Sequence, residues 1–193
     1  MPGDYVTIVS GLPRSGTSLM MQMLRAGGMQ LLTDGRRAPD EHNPRGYFEH
    51  EGVKHSRNDL SWLEEAGGKV VKVVHLLLQY LPANRDYRVI FMQRDLEEVI
   101  VSQRVMLQQQ GRPAAAMTDA ALADVFKNQL ATMRQWLADR PNFRVLYVNH
   151  RDVIDRPEEM AKHLNFFLDG NLLVAGMAAA VDPALYRRRK SAR

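Results

Sequence analysis

The chain has 193 residues, of which 45% are hydrophobic and 25% charged, the proportions of an ordinary globular domain and not of a disordered or fibrous chain. Its longest apolar stretches fall far short of the ~20 residues that span a bilayer, and its first residues lack the pattern of a secretory signal. The absence of cysteine excludes disulfides, thiolate metal sites and a cysteine nucleophile. One α/β domain over 1–193 is expected, in the cytoplasm. The net charge of +4, with Arg187, Arg188, Arg189, Lys190 and Arg193 in a basic tail over 181–193, favours acidic ligands. No nucleic-acid motif accompanies that tail, so nucleic acid is not an expected partner.

In chain order, residues 5–10 (YVTIVS) form a β-branched run that ends at Gly11, and the dense apolar residues of 19–24 read as a buried helix. Residues 33–46 are polar and rich in Gly, Pro, Asp and Asn, a long loop of the kind that often carries function. A helix is expected within 51–66, then buried strands at 69–74 and 88–92. Asp95, with Glu98 three residues on, predicts a capped helix through Gln110. Asp119 is expected to cap a helix to about Asp139, with Leu122, Phe126, Leu130, Met133 and Leu137 along one stripe. A last strand at 143–148 and a helix from Pro157 through Phe167 follow. Strands and helices that alternate in this way predict a P-loop-type domain, a central parallel sheet with helices on both faces.

Residues 11–18 (GLPRSGTS) have the glycines and terminal hydroxyl of the G-x-x-x-x-G-K-[ST] loop, placed after a strand and before a helix. Glycines let the backbone wrap an anion, and the helix N-terminus adds positive partial charge. Thr17, however, stands where a triphosphatase has the lysine that reaches its terminal phosphates. A cation is present inside the loop at Arg14, whose planar fork can grip two oxygens of a tetrahedral anion. Residues 11–20 (GLPRSGTSLM) resemble the 5′-phosphosulfate loop of sulfotransferases, in particular the tyrosylprotein and bacterial branches. Arg94 at a strand end and Ser102 eight residues on resemble the 3′-phosphate motif of that family, and residues 146–157 (LYVNHRDVIDRP) resemble its strand and helix before the C-terminal region.

The resemblance implies 3′-phosphoadenosine-5′-phosphosulfate (PAPS) as donor and the 3′,5′-bisphosphate (PAP) as product, without a metal. It implies donor contacts from Arg14, Ser15, Gly16, Thr17, Ser18, Arg94 and Ser102, with 187–189 reaching the 3′-phosphate, and sulfonate transfer to a hydroxyl or amine. Two residues are candidates for the base. His75, in Lys72-Val-Val-His75 with Pro82 beyond, resembles the lysine, histidine and proline of the cytosolic enzymes, with the lysine spacing off by one. Glu49, in the run 43–49 (NPRGYFE), is the rival, because the tyrosylprotein and heparan-type relatives use a glutamate instead. The chain is short for this family, so the acceptor is expected to be large or the site completed by a partner chain, for which a homodimer is the candidate. The rival readings are a P-loop kinase or NTPase, with Asp95 as its magnesium aspartate, and a nucleotide-binding protein without turnover.

Overall fold

The structure is a computed structural model, and it describes residues 5–36, 38, 40, 43, 45–109, 111 and 117–185. Five strands form one parallel sheet: β1 (Tyr5–Gly11), β2 (Gln30–Leu32), β3 (Lys69–Lys72), β4 (Asp86–Gln93) and β5 (Phe143–Asn149), in the order β2-β3-β1-β4-β5. The helices are α1 (Thr17–Ala26), α2 (Glu51–Lys54), α3 (Leu96–Gln109), α4 (Asp119–Ala138), α5 (His150–Asp155), α6 (Pro157–Phe167) and α7 (Val174–Ala179).

Successive strand side chains point to opposite faces of a sheet, and both faces here are apolar. Val6 and Ile8 of β1, Val71 of β3, and Val89 and Phe91 of β4 pack on one side with Trp62, Leu63, Leu78 and α4 residues Met133 and Leu137. Val9, Val70, Ile90, Met92 and Val148 pack on the other with Met20, Met21, Met23 and Leu24 of α1, Leu164 of α6 and Met177 of α7. Strands buried on both faces read as continuous apolar runs, which is why β1 and β4 stood out in the sequence, whereas the edge strand β5 is partly exposed. At the foot of β4, buried Arg88 donates to the Phe167 carbonyl at 2.6 Å, pairs with Asp169 at 2.6 Å and lies 4.0 Å from the centre of the Tyr5 ring. The end of α6 is thereby fastened to the sheet.

The expected helix within 51–66 is instead α2 followed by turns and a 3-10 helix at Ser61–Glu65. Polar side chains take the backbone there: Ser56 Oγ donates to the Val53 carbonyl at 2.6 Å and accepts from Trp62 Nε1, and Asp59 accepts from the Ser61 N–H. Such local bonds compete with a helical ladder. The cap of α4 is Thr118, whose side chain accepts from the Ala121 N–H, and Asp119 is the first helical residue. Strand β3 ends at Lys72 and the chain turns into a 3-10 helix at His75–Tyr80. The short elements β2, α5 and α7 were not legible in the sequence. Gln110 and the basic residues 187–190 and 193 lie outside the described residues.

Replacing Ile90, fully buried in β4, by alanine is expected to lower the unfolding free energy by about 2–5 kcal/mol. Urea unfolding with an unchanged denaturant slope checks this, and a loss under ~1 kcal/mol would contradict its place in the core.

Candidate functional site

Strand β1 lies between β3 and β4, so the chain crosses to opposite sides of it, and a crevice opens at its carboxyl end. The loop from β1 to α1 occupies that crevice. Gly11 has φ 143°, and a Cβ there would stand 2.6 Å from both Met92 O and Ser15 Oγ. Arg14 has φ 70° and Gly16 φ 101°, the alternating handedness in which successive N–H groups line a concavity. At Gly16 a Cβ would collide with the His150 ring. The first bond within α1 runs from Met20 N to Gly16 O, so the N–H groups of Thr17, Ser18 and Leu19 precede the helical ladder and face its entrance. Ser15 Oγ is buried with no hydrogen-bond partner among the described residues. A buried hydroxyl of this kind, at a helix N-terminus beside several cations, fits an anionic group.

Arg14, Arg94 and Ser102 meet. Arg14 Nε donates to Ser102 Oγ at 2.9 Å, and Arg94 Nη1 donates to the Arg14 carbonyl at 3.3 Å. Asp95 caps α3, its Oδ1 accepting from the Glu97 and Glu98 N–H groups at 2.9 and 3.3 Å, and so fixes the helix that carries Ser102. Glu98, expected only as the partner of that cap, turns its carboxylate to Arg94 Nε at 2.9 Å.

On the other side of the loop, Lys72 of β3 donates to Ser18 Oγ at 3.0 Å and to the Tyr47 carbonyl at 2.9 Å, and Asn43 Nδ2 donates to the same hydroxyl at 2.7 Å. The lysine missing at Thr17 is thus matched in space by one from the neighbouring strand.

The two candidate bases lie in different places. His75 is buried beside Gly11, with Nε2 3.2 Å from Gln129 Oε1 of α4. Burial lowers its pKa, an effect that Gln129 and the Gly11 backbone oppose. Glu49 is a quarter exposed and 3.8 Å from Lys54 Nζ, and its backbone carbonyl accepts from Thr33 and Asp34 beyond the end of β2. It lines a groove of about 590 Å³ with Arg25, Leu31, Tyr47 and Phe48.

The residues missed by sequence reasoning are Asn43, Glu98 as a partner of Arg94, Gln129 and His150. Asn43, Gln129 and His150 reach the loop or its partners through tertiary contacts that no local spacing marks, whereas Glu98 lies only four residues from Arg94, a spacing that its reading as a cap partner left unused.

The sulfotransferase domain family matches residues 4–185. The chain belongs to that family. Solved structures agree with the sulfotransferase fold. The sulfotransferase domain from the curacin biosynthetic pathway is 16% identical over 100% of this chain and 94% of its own, with TM-score 0.55. A mouse sulfotransferase complexed with PAP is 15% identical over 98% and 69%, with TM-score 0.61. A sulfotransferase from Mycobacterium avium is 13% identical over 99% and 70%, with TM-score 0.58. At such identities the likeness concerns the fold. No curated protein sequence matches the chain. Among the described residues no helix is long and apolar enough to cross a membrane.

The packing of this sulfotransferase loop makes a pH-dependent stability. Burial, reinforced by Arg94 and opposed by Glu98, pushes the His150 pKa down to about 4. The folded protein therefore keeps the ring neutral while the unfolded chain takes up a proton below its ordinary value near ~6.5, so stability falls as pH drops through that window. The loss attributable to His150 is on the order of 3 kcal/mol by pH ~4. Urea unfolding at pH ~7, ~5.5 and ~4.5 is expected to show a steep decline that is shallower in His150→Gln. Equal slopes for the two proteins would contradict the assignment.

Proposed function

We propose that this sulfotransferase moves a sulfonate from PAPS to a hydroxyl or amine acceptor and releases PAP. The observation that carries the reading is the junction of two anion-binding elements. Arg14 and Ser102 are 88 positions apart and joined at 2.9 Å, and Arg94 is 80 positions from Arg14 and bonded to its carbonyl. Two adjacent basic subsites suit a ligand with two separated anionic groups, whereas a nucleoside triphosphate concentrates its charge in one chain. The PAP bound in the mouse relative supports the same ligand class.

When bound, the donor supplies an activated sulfuryl group whose bond to the 5′-phosphate oxygen breaks as the acceptor attacks sulfur. Ser15, Gly16, Thr17 and Ser18 hold the 5′ side through backbone N–H groups and hydroxyls, and Lys72 and Arg14 place positive charge where the leaving phosphate gains it. Arg94 and Ser102 hold the 3′-phosphate. His75 accepts the acceptor's proton. Its lowered pKa keeps the ring neutral at pH ~7, the state a general base requires. A specific observation also favours a second reading of the base, since Glu49 opens on the 590 Å³ groove and would face an acceptor seated there.

In thermal unfolding, PAP at ~100 times its Kd is expected to stabilise the protein by about 2.7 kcal/mol, and ATP with magnesium to do little. A response to ATP with magnesium alone would sink the proposal. Arg14→Ala and Arg94→Ala are each expected to weaken PAP by roughly 10–100-fold, the range of a lost charge-assisted hydrogen bond.

For the base, His75→Ala is expected to leave PAP affinity within about 2-fold of wild type and to lower single-turnover transfer by roughly 100-fold or more. If Glu49→Ala gives that pattern and His75→Ala does not, the carboxylate is the base.

A further inference from the structure

Arg94 and Glu98 are one turn apart at the start of α3, and both side chains are buried, 12% and 7% exposed, where they pair at 2.9 Å. This is the most enclosed ion pair among the described residues. Surface i,i+4 pairs such as Lys162 with Glu158 and Arg151 with Asp155 hold nothing in place beyond themselves. A buried pair is a weak source of net stability, because desolvation offsets its attraction, so its presence calls for another account.

Geometry supplies one. Glu98 holds Arg94 through Nε, and Nη1 of the same guanidinium is directed to the Arg14 carbonyl at 3.3 Å. The guanidinium is planar, so fixing Nε and Nη1 fixes the whole fork. His150, buried against Gly16, feels the charges of both Arg94 and Glu98. The cation that faces the second anionic group is therefore set by a carboxylate four residues away, on a helix whose first turn Asp95 already fixes.

We infer that Glu98 is a positioning residue for donor selection, one that orients Arg94 so that the site distinguishes a 3′,5′-bisphosphate from a 5′-monophosphate. The inference rests on the donor reading above. A shift of one methylene in the carboxylate moves the fork, whereas removal of its charge with the oxygen kept in place moves it much less.

The test is isothermal titration of the full chain with adenosine 3′,5′-bisphosphate and adenosine 5′-monophosphate, giving the ratio of the two affinities. Removing one partner of a buried pair destabilises strongly, so conservative variants are used. Glu98→Asp is expected to lower the ratio by roughly 10-fold or more, the scale of one charge-assisted hydrogen bond, with the monophosphate affinity within about 2-fold of wild type. Glu98→Gln, which keeps an oxygen for Nε, is expected to hold the ratio within about 3-fold. Arg94→Ala abolishes the preference, and Arg94→Ala with Glu98→Asp goes no further, because the two residues act as one unit. An unchanged ratio in Glu98→Asp, or equal weakening of both ligands, overturns the inference while leaving the donor reading intact. A wild-type protein with no preference for the bisphosphate sinks the donor reading, and this inference with it.

Discussion

Gly11 and Gly16 are held by their neighbours as much as by their own backbone angles. Met92 O and Ser15 Oγ stand 2.6 Å from where a Gly11 Cβ would sit, and the His150 ring fills that place at Gly16. Both glycines also have positive φ, a region that side chains rarely adopt. The turn from β1 into α1 is therefore fixed from beneath by β4 and from the side by His150 at the start of α5. With the turn fixed, the position of the α1 N-terminus relative to the sheet is fixed too, and every charged group at the site is placed relative to that end.

The same turn determines what Arg14 does. Its αL conformation (φ 70°) leaves its carbonyl where Arg94 reaches it and its side chain where Ser102 meets it. One residue thus serves as acceptor for one cation and as donor to the helix that follows. A loop bound only by its own backbone would leave Arg14 free to drift from Arg94 and Ser102. Here the three are tied to α3, which Arg94 and Asp95 immediately precede and whose first turn carries Glu98.

Local chemistry explains what was legible in the sequence. Strands β1 and β4 announce themselves because burial on both faces leaves few polar residues in them, and the loop announces itself because glycine and hydroxyl positions at a strand-helix junction have few other uses. The pairing of Arg94 with Ser102 could be read as a spacing because both lie on one helix and its approach. Strand β2, with three residues, and α7, with six, carry too little periodicity to read, and residues 51–66 mislead because Ser56 and Asp59 bond locally. Gln129 and His150 were invisible as site residues for a different reason. Their neighbours come from the strand order, and nothing within a few positions of them encodes it. Glu98 differs, since its partner Arg94 is four residues away and only its place in the helix cap was read.

Lys72 shows how a departure in spacing is absorbed. In β3 it pairs in register with Val9 of β1, and it shares the Val70 face, the one covered by α1. A slip of one residue would turn Lys72 to the opposite face and away from Ser18, so the cation at the α1 N-terminus depends on the β1-β3 register. The strand stops there, but Val73 N still bonds Val9 O at 3.0 Å. Val74 is extended and exposed before the chain enters the 3-10 helix that begins at His75. The extra residue between lysine and histidine is thus taken up outside the strand, where it changes no cross-strand partner. Lysine and imidazole keep separate anchors, one in the register of β3 and the other in the bond from His75 to Gln129 of α4. The lysine and the imidazole are in this way held by different elements.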